Sequence, residues 1–196
     1  MNTKKMRYVW FLVILCIFCL TLFLARTRSK VEIRNRIYRQ WNEHFVVSKG
    51  KESYVRTTND SNQTVVLSEA QSYGMIITVA AAEKGQAQQA DFDRLYHYYL
   101  NHRLEGTQLM SWKQTISNGK AKDEDHNATD GDLYIAYALL KAAQKWPKQA
   151  KDYQAQAKAI LEDILAHNYN EETGVLTVGN WANQDSVFYH LMRTSD

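Results

Sequence analysis

The sequence predicts an all-α fold preceded by an N-terminal apolar helix. Three observations favour this class: apolar residues recur at helical spacing, two segments rich in small residues resemble closely packed helices, and no segment shows sustained strand alternation. With 45% hydrophobic residues, 12% aromatic residues and a single proline, the chain can bury a core.

An apolar run from Tyr8 to Ala25 is the first predicted element, with Thr21 as its polar break. Its 18 residues would extend roughly 27 Å as a helix, which is close to the hydrocarbon thickness of a bilayer. Both cysteines of the chain lie inside this run, so no disulfide framework is expected in the rest.

Lys and Arg residues flank the run on both sides. We therefore expect residues 1–30 to be an uncleaved signal anchor, with a cleaved signal peptide as the alternative. The bulky Phe23 makes a poor cleavage site two residues before Ala25, and the charged flanks disfavour a buried core helix. The remainder would lie on the extracellular face of the cell membrane, or be secreted if the segment is cleaved.

Residues 31–196 carry 18 Lys and Arg against 21 Asp and Glu, so the net charge of +3 belongs to the N-terminal segment. Residues 31–196 are therefore net acidic, which argues against a basic nucleic-acid-binding domain in this part of the chain.

Five helices are predicted after the apolar run. The first carries an apolar stripe at every fourth residue, the second ends at Gly85 and the fourth ends at Pro147. Residues 48–66 and 104–127 are predicted loops, and a short strand or turn near 175–178 precedes a last helical start near 185–192. The predicted helices cover residues 32–47, 69–83, 87–102, 130–146 and 149–167.

The first candidate site is the segment Ser68-Glu69-Ala70-Gln71-Ser72-Tyr73-Gly74-Met75. Glu69 lies at a helix start, where the helix dipole favours a carboxylate. The simpler interpretation is that Ser68 caps the helix and Glu69 is an ordinary first-turn acid.

The second candidate site is the segment Asn127-Ala128-Thr129-Asp130-Gly131-Asp132-Leu133-Tyr134. Thr129 or Asp130 could cap the helix that begins there, which would explain one carboxylate locally. Two carboxylates on either side of a glycine are harder to explain in this way, although a capping residue with a solvated partner stays the alternative.

These two segments, together with the helix of small residues that continues to Trp146, resemble the family 8 glycoside hydrolases. The family consists of bacterial endo-acting enzymes on β-1,4-linked polysaccharides. The resemblance extends over residues 33–196 and implies an (α/α)6 toroid, in which inner helices direct their N-termini towards a substrate cleft.

The resemblance implies that Glu69 is the general acid that protonates the glycosidic oxygen, and that Asp130 holds the distorted sugar beside the scissile bond. Tyr73, Trp112 and Tyr134 are candidate sugar-binding aromatic residues, with core packing as the alternative for each. We group Asp132 with the substrate-binding residues and expect it to act in a structural or supporting role.

No Cys/His cluster indicates a metal site and no cofactor is expected; His97 and His102 are interpreted as surface helix residues.

Family members are considerably longer than this chain. We therefore expect residues 31–196 to be the N-terminal part of a catalytic domain, an incomplete half toroid whose catalytic base lies beyond Asp196. The family inverts anomeric configuration, which requires that base. The predicted function is hydrolysis of a β-1,4-linked polysaccharide, glucan first, with little or no turnover by this chain alone. The alternative is a catalytically silent fragment that at most binds glycan or a complementing chain.

Overall fold

The computed structural model describes residues 3–58 and 63–191. The chain divides into two compact units, residues 1–42 and residues 43–196.

The first unit is the greater part of one long helix, α1 (Thr3–Phe45). The sequence predicted a separate helix over 32–47 after the apolar run, and this was wrong, because the helix continues without a break. No Gly or Pro occurs between its ends, so nothing interrupts its hydrogen bonds. The one polar side chain of the apolar run is hydrogen-bonded within the helix, since the Thr21 hydroxyl donates to the Phe18 carbonyl oxygen at 2.8 Å.

The apolar part of α1 is long enough to cross a membrane and has no buried fraction, and a signal sequence would have the same properties.

Four helices dominate the second unit, and each lies within two residues of its predicted range: α2 (Ser68–Glu83), α3 (Gln89–Asn101), α4 (Thr129–Lys145) and α5 (Ala150–His167). Helix α4 packs against both α2 and α5, while α3 packs on α2. Ala138 and Ala142 of α4 have no exposed area, as expected of helices that approach closely. The largest fully buried side chains form one core: Met75, Phe92, Leu95, Tyr98, Tyr99, Leu109, Met110, Ile135, Leu139, Ile160 and Ile164.

Two predicted loops contain short antiparallel strands. Strands β1 (Val46–Lys49) and β2 (Glu52–Val55) form a hairpin, and β3 (Thr64–Leu67) pairs with β4 (Lys113–Ser117), which pairs with β5 (Lys120–Asp123). The β4–β5 turn has positive φ at Asn118 and Gly119, 52° and 74°. Such a turn matches the right-handed twist of the strands it joins. The loop prediction for residues 48–66 and 104–127 was therefore wrong in part.

The last part of the chain holds β6 (Tyr169–Asn170) and β7 (Val175–Leu176), close to the predicted strand or turn. The helical start expected near 185–192 is absent up to residue 191, where the described part of the chain ends. Local side chains divert the backbone into turns, because the Asn183 carboxamide oxygen accepts from Asp185 N and the Ser186 hydroxyl accepts from Phe188 N, both at 3.2 Å.

Candidate active site

The start of α2 is held by the sheet that precedes it. Strand β3 leads directly into the helix, and its last residue, Leu67, pairs with Lys113 at the start of β4. The Ser68 N–H donates to the Trp112 carbonyl oxygen at 3.0 Å. Glu69 therefore lies in the first turn of α2, next to the point where the Trp112 backbone meets the helix.

The starts of α2 and α4 touch at Gly131. A Cβ atom at Gly131 would lie 2.2 Å from Ser68 Oγ and 3.1 Å from the Glu69 nitrogen. Only a glycine fits at this crossing, which explains the glycine between the two acids Asp130 and Asp132. The contact places Glu69 and Asp130 in the first turns of two neighbouring helices.

Neither helix is capped as the sequence suggested, since no side-chain cap hydrogen bond is present at either start. Ser68 already belongs to the helix, and its buried hydroxyl, packed against Gly131, has no hydrogen-bond partner within the part of the chain that the structure describes. The Thr129 hydroxyl donates to the Thr177 carbonyl oxygen at 2.6 Å. The Asp130 carboxylate accepts from the Gly131 N–H at 2.8 Å. The two capping interpretations were therefore wrong.

A pair of tyrosines links the two helices one turn beyond the acids. Tyr73 follows Glu69 by four residues and Tyr134 follows Asp130 by four, so each tyrosine lies above its acid on the same helix face. Their ring centroids are 5.2 Å apart at an interplanar angle of 44°. The Tyr73 side chain is half-exposed, which leaves part of the ring open to solvent.

The Tyr73 hydroxyl lies near the Glu69 carboxylate and the Tyr134 hydroxyl. Desolvation is the main cause that raises the pKa of Tyr73 to about 12, and the negative charge of Glu69 is the second. The hydroxyl therefore stays protonated at neutral pH and can donate to Glu69.

Asp132 has no exposed area. Its two oxygens accept from the Met110 N–H and the Asn127 carboxamide, each at 2.8 Å. Burial is the main cause that raises the pKa of Asp132 to about 7, and those two hydrogen bonds lower it. Asp132 thus anchors the start of α4 to the segment before β4, and this geometry leaves it no surface with which to contact a sugar.

A buried polar network continues from Asp132. The Asn168 carboxamide donates to Asn127 Oδ1 at 3.2 Å and to Thr129 Oγ1 at 2.7 Å. The Asn180 N–H also donates to Asn127 Oδ1, at 2.7 Å. These bonds fix the backbone immediately before Asp130 to the segments around β6 and β7. The sequence alone assigned no role to Asn127, Asn168 or Asn180, because their pairing depends on the tertiary fold.

Gln71, a member of the first candidate segment to which no role was assigned, supports the start of α2 from within the core. Its carboxamide oxygen accepts from the Val55 N–H at 2.9 Å, and its nitrogen donates to the carbonyls of Ser53 and Leu95 at 3.0 and 2.9 Å. One fully buried side chain therefore ties α2 to β2 and α3.

An apolar groove of about 570 Å³ opens beside the segment that leads into α4. Trp181 packs closely over Gly179. The ring centroids of Trp181 and Phe188 are 5.3 Å apart in an edge-to-face arrangement. Trp112 lines the same groove and is partly exposed. The full lining is Trp112, His126, Asn127, Ala128, Val178, Trp181, Phe188 and Leu191.

Groups of His, Cys, Asp and Glu that could hold a metal ion do not occur among residues 3–58 and 63–191. The interpretation of His102 as a surface residue was wrong: it is buried, and its Nδ1 lies 2.7 Å from an Asp123 oxygen. His97, in contrast, is exposed on α3.

Comparison with known proteins gives a consistent result. Residues 12–191 match the family model described as glycosyl hydrolases family 8. The chain is 35% identical over 158 residues to a protein named beta-glucanase from Niallia circulans, which covers 80% of this chain and 38% of that protein. It is 31% identical over 146 residues to endoglucanase C of Ruminiclostridium cellulolyticum, which covers 73% of this chain and 30% of that protein.

A solved apo structure of a beta-1,3-1,4-glucanase from Paenibacillus sp. X4 superposes with a TM-score of 0.67 at 29% identity, over 80% of this chain and 42% of that one. The solved neighbours are (α/α)6 toroids, so the toroid-type helical fold expected from the sequence is confirmed. The chain spans well under half the length of the relatives it matches.

Proposed function

Because the chain belongs to glycosyl hydrolase family 8, we propose that it acts on a β-linked polysaccharide, with β-1,4-glucan as the first candidate and endo attack as the mode. The names of the relatives, beta-glucanase and endoglucanase C, favour glucan. The observation that carries the proposal is the pair Glu69 and Asp130, placed in the first turns of contacting helices beside an aromatic groove.

In the proposed reaction Glu69 is the general acid, which donates its proton to the departing glycosidic oxygen. The Tyr73 hydroxyl, which lies near Glu69, would orient the Glu69 carboxyl group. Asp130 binds the sugar next to the scissile bond, and the small exposed fraction of this residue, 5%, suits a group that contacts ligand from a cleft wall.

The aromatic residues would bind the sugar rings, because the C–H faces of pyranoses stack on apolar ring faces. Trp112 is the first candidate, since its ring lines the groove while its carbonyl holds the α2 start. Trp181 is a second candidate platform in the same groove. Tyr73 and Tyr134 would contact the sugar that lies next to Glu69.

Inversion of the anomeric carbon requires a second carboxylate that activates water, about 6.5–9.5 Å from the acid. Asp132 is unsuited to that role, since it is fully buried and both oxygens already accept hydrogen bonds. We assign to Asp132 the role of supporting Asp130.

We further propose that residues 1–30 anchor or export the protein and that residues 31–196 contribute the N-terminal part of the catalytic domain. The apolar helix supports the first statement, and the 38% coverage of the Niallia circulans protein supports the second. A large polysaccharide does not cross a membrane, so the globular unit would meet its substrate outside the cell.

Release of reducing sugar from carboxymethylcellulose, lichenan, xylan and chitosan tests the proposal. The 196-residue chain is compared with a chimera that continues into the rest of the Niallia circulans protein, each with and without Glu69→Gln. We expect hydrolysis by the chimera, loss of it with Glu69→Gln, little or none by the chain alone, and initial products of the α configuration. Absence of hydrolysis on all four polymers by a folded chimera would contradict the proposal.

A second candidate function is glycan binding without turnover, alone or with a complementing chain. The exposed aromatic side chains of the groove favour it, because they can bind sugar without a complete acid/base pair. Binding of cello-oligosaccharides by the 196-residue chain that persists in Glu69→Gln and disappears in Trp112→Ala would support this function.

A further inference from the structure

A cluster of cations follows the apolar run of α1 and has no part in the proposed reaction. The basic flank, residues 26–39, contains six Lys and Arg and a single acid, Glu32. All six cations are exposed, and no salt bridge joins any of them to a carboxylate within the described part of the chain. They are Arg26, Arg28, Lys30, Arg34, Arg36 and Arg39.

The basic flank and the apolar run are parts of one uninterrupted helix. If residues 8–25 fill the hydrocarbon layer, Arg26 lies at its boundary, and Lys30 lies roughly 6 Å further along the axis at about 1.5 Å per residue. A head-group layer is about 5–7 Å thick, so Arg26, Arg28 and Lys30 fall inside it. The other three cations follow within roughly 20 Å of the boundary, where surface charge is still felt at low salt.

The cations of the basic flank surround the helix, because neighbouring positions in the sequence turn by about 100° and the six do not share one face. A helix that crosses the head-group layer is surrounded by phosphates on every side, and this distribution suits such an environment. The globular unit offers no comparable attraction: residues 43–196 carry fifteen Lys and Arg against twenty Asp and Glu.

We propose that the basic flank binds the phosphate groups of anionic phospholipids and so gathers them around α1. The chemistry is that of guanidinium and ammonium groups donating to phosphate oxygens. The inference needs only α1 in a bilayer, and it does not rest on the proposed hydrolysis or on the side of the membrane that the globular unit occupies.

The test uses the full chain in phosphatidylcholine bilayers that contain trace spin-labelled lipid. The relative association of phosphatidylglycerol and phosphatidylcholine with the protein is read from the motionally restricted fraction. We expect a several-fold preference for phosphatidylglycerol, which falls towards one in about 0.5 M salt because the charges are screened. The same fall is expected in a variant with Arg26→Gln, Arg28→Gln and Lys30→Gln.

A matched control replaces three exposed cations of the globular unit, with Lys145→Gln, Lys148→Gln and Lys151→Gln, and should keep the full preference. Soluble glycerol phosphate is added as a competitor, and millimolar amounts should not displace the lipid. No preference in the native chain, an equal loss in the control variant, or displacement by free glycerol phosphate would each overturn the proposal.

Discussion

At the scale of single residues, the ionisation of the Tyr73 hydroxyl depends on the candidate acid beside it. The pKa of Tyr73 is raised to about 12, and the negative charge of Glu69 contributes to this shift after desolvation. Its ionisation therefore reports on the carboxylate without any assay of activity.

Replacement Glu69→Gln should lower the pKa of Tyr73 from about 12 towards the ordinary value, because the nearby negative charge is removed while the desolvation stays. Titration of ¹³C-labelled tyrosine by NMR, with Tyr73→Phe to assign the resonance, measures this as a larger ionised fraction at a given alkaline pH. Glu83→Gln, at the exposed end of the same helix, is the control and should change nothing. An unchanged titration of Tyr73 in Glu69→Gln would show that the Glu69 charge does not influence the pKa of Tyr73.

Asp132 should make stability depend on pH. Burial raises its pKa to about 7 in the folded protein, against an ordinary value of 3.8. The folded state thus holds a proton that the unfolded state has released between these values, so the free energy of unfolding falls as pH rises from about 4 to about 7. Denaturant unfolding of the detergent-solubilised chain at several pH values should show this fall. The fall in the free energy of unfolding should be smaller in Asp132→Asn and unchanged in Asp185→Asn, the exposed control. If the full fall persists in Asp132→Asn, groups other than Asp132 cause it.

At the scale of elements, the α2–α4 crossing decides whether the two acids lie close together. Gly131→Ala would force a Cβ against Ser68 Oγ, which an ideal Cβ would approach to 2.2 Å. Overpacking of this kind typically costs 1–3 kcal/mol, and a displacement of about 1 Å at a reacting group can lower the rate about a hundredfold.

We expect Gly131→Ala to lower both the unfolding midpoint and the activity of the chimera, and Ser68→Gly in the same chain to restore part of each. Gln144→Ala, at an exposed position of the same helix, is the matched control. Normal activity in Gly131→Ala would show that the crossing does not position the acids.

The four helices after α1 were predictable because their apolar spacing and small residues determine how they pack, and Gly85 and Pro147 mark ends locally. The β4–β5 hairpin was missed although Asn118-Gly119 is a strong turn signal, since its strands are only five and four residues long. The cap expected at Thr129 failed because its hydroxyl donates to the Thr177 carbonyl oxygen instead. The cap expected at Ser68 failed because the helix already begins at Ser68, and Leu67 precedes it as the N-cap residue. The positions of Glu69, Asp130 and the aromatic candidates came from the family resemblance, and spacing alone could not have paired them.

At the scale of the whole molecule, the fate of α1 decides where the globular unit works. We expect residues 8–25 to remain in the mature protein and the globular unit to lie outside the cell. Protease treatment of intact cells, followed by N-terminal sequencing, should degrade the globular unit and leave the N-terminus in place. A mature N-terminus near Arg26 would show cleavage. Protection until lysis would show the opposite orientation, which the six cations after the run against three before it would favour.

The central claim is that Glu69 delivers the proton to the leaving group. A leaving group that needs no proton should make Glu69 dispensable, so the decisive measurement compares kcat/KM of the chimera and its Glu69→Gln variant on β-glucan and on a 2,4-dinitrophenyl β-cello-oligosaccharide. The account predicts a loss of roughly 10²–10⁴-fold on β-glucan, and a much smaller loss, within about tenfold, on the activated substrate. Equal losses on both substrates would contradict the assignment of Glu69 as the general acid.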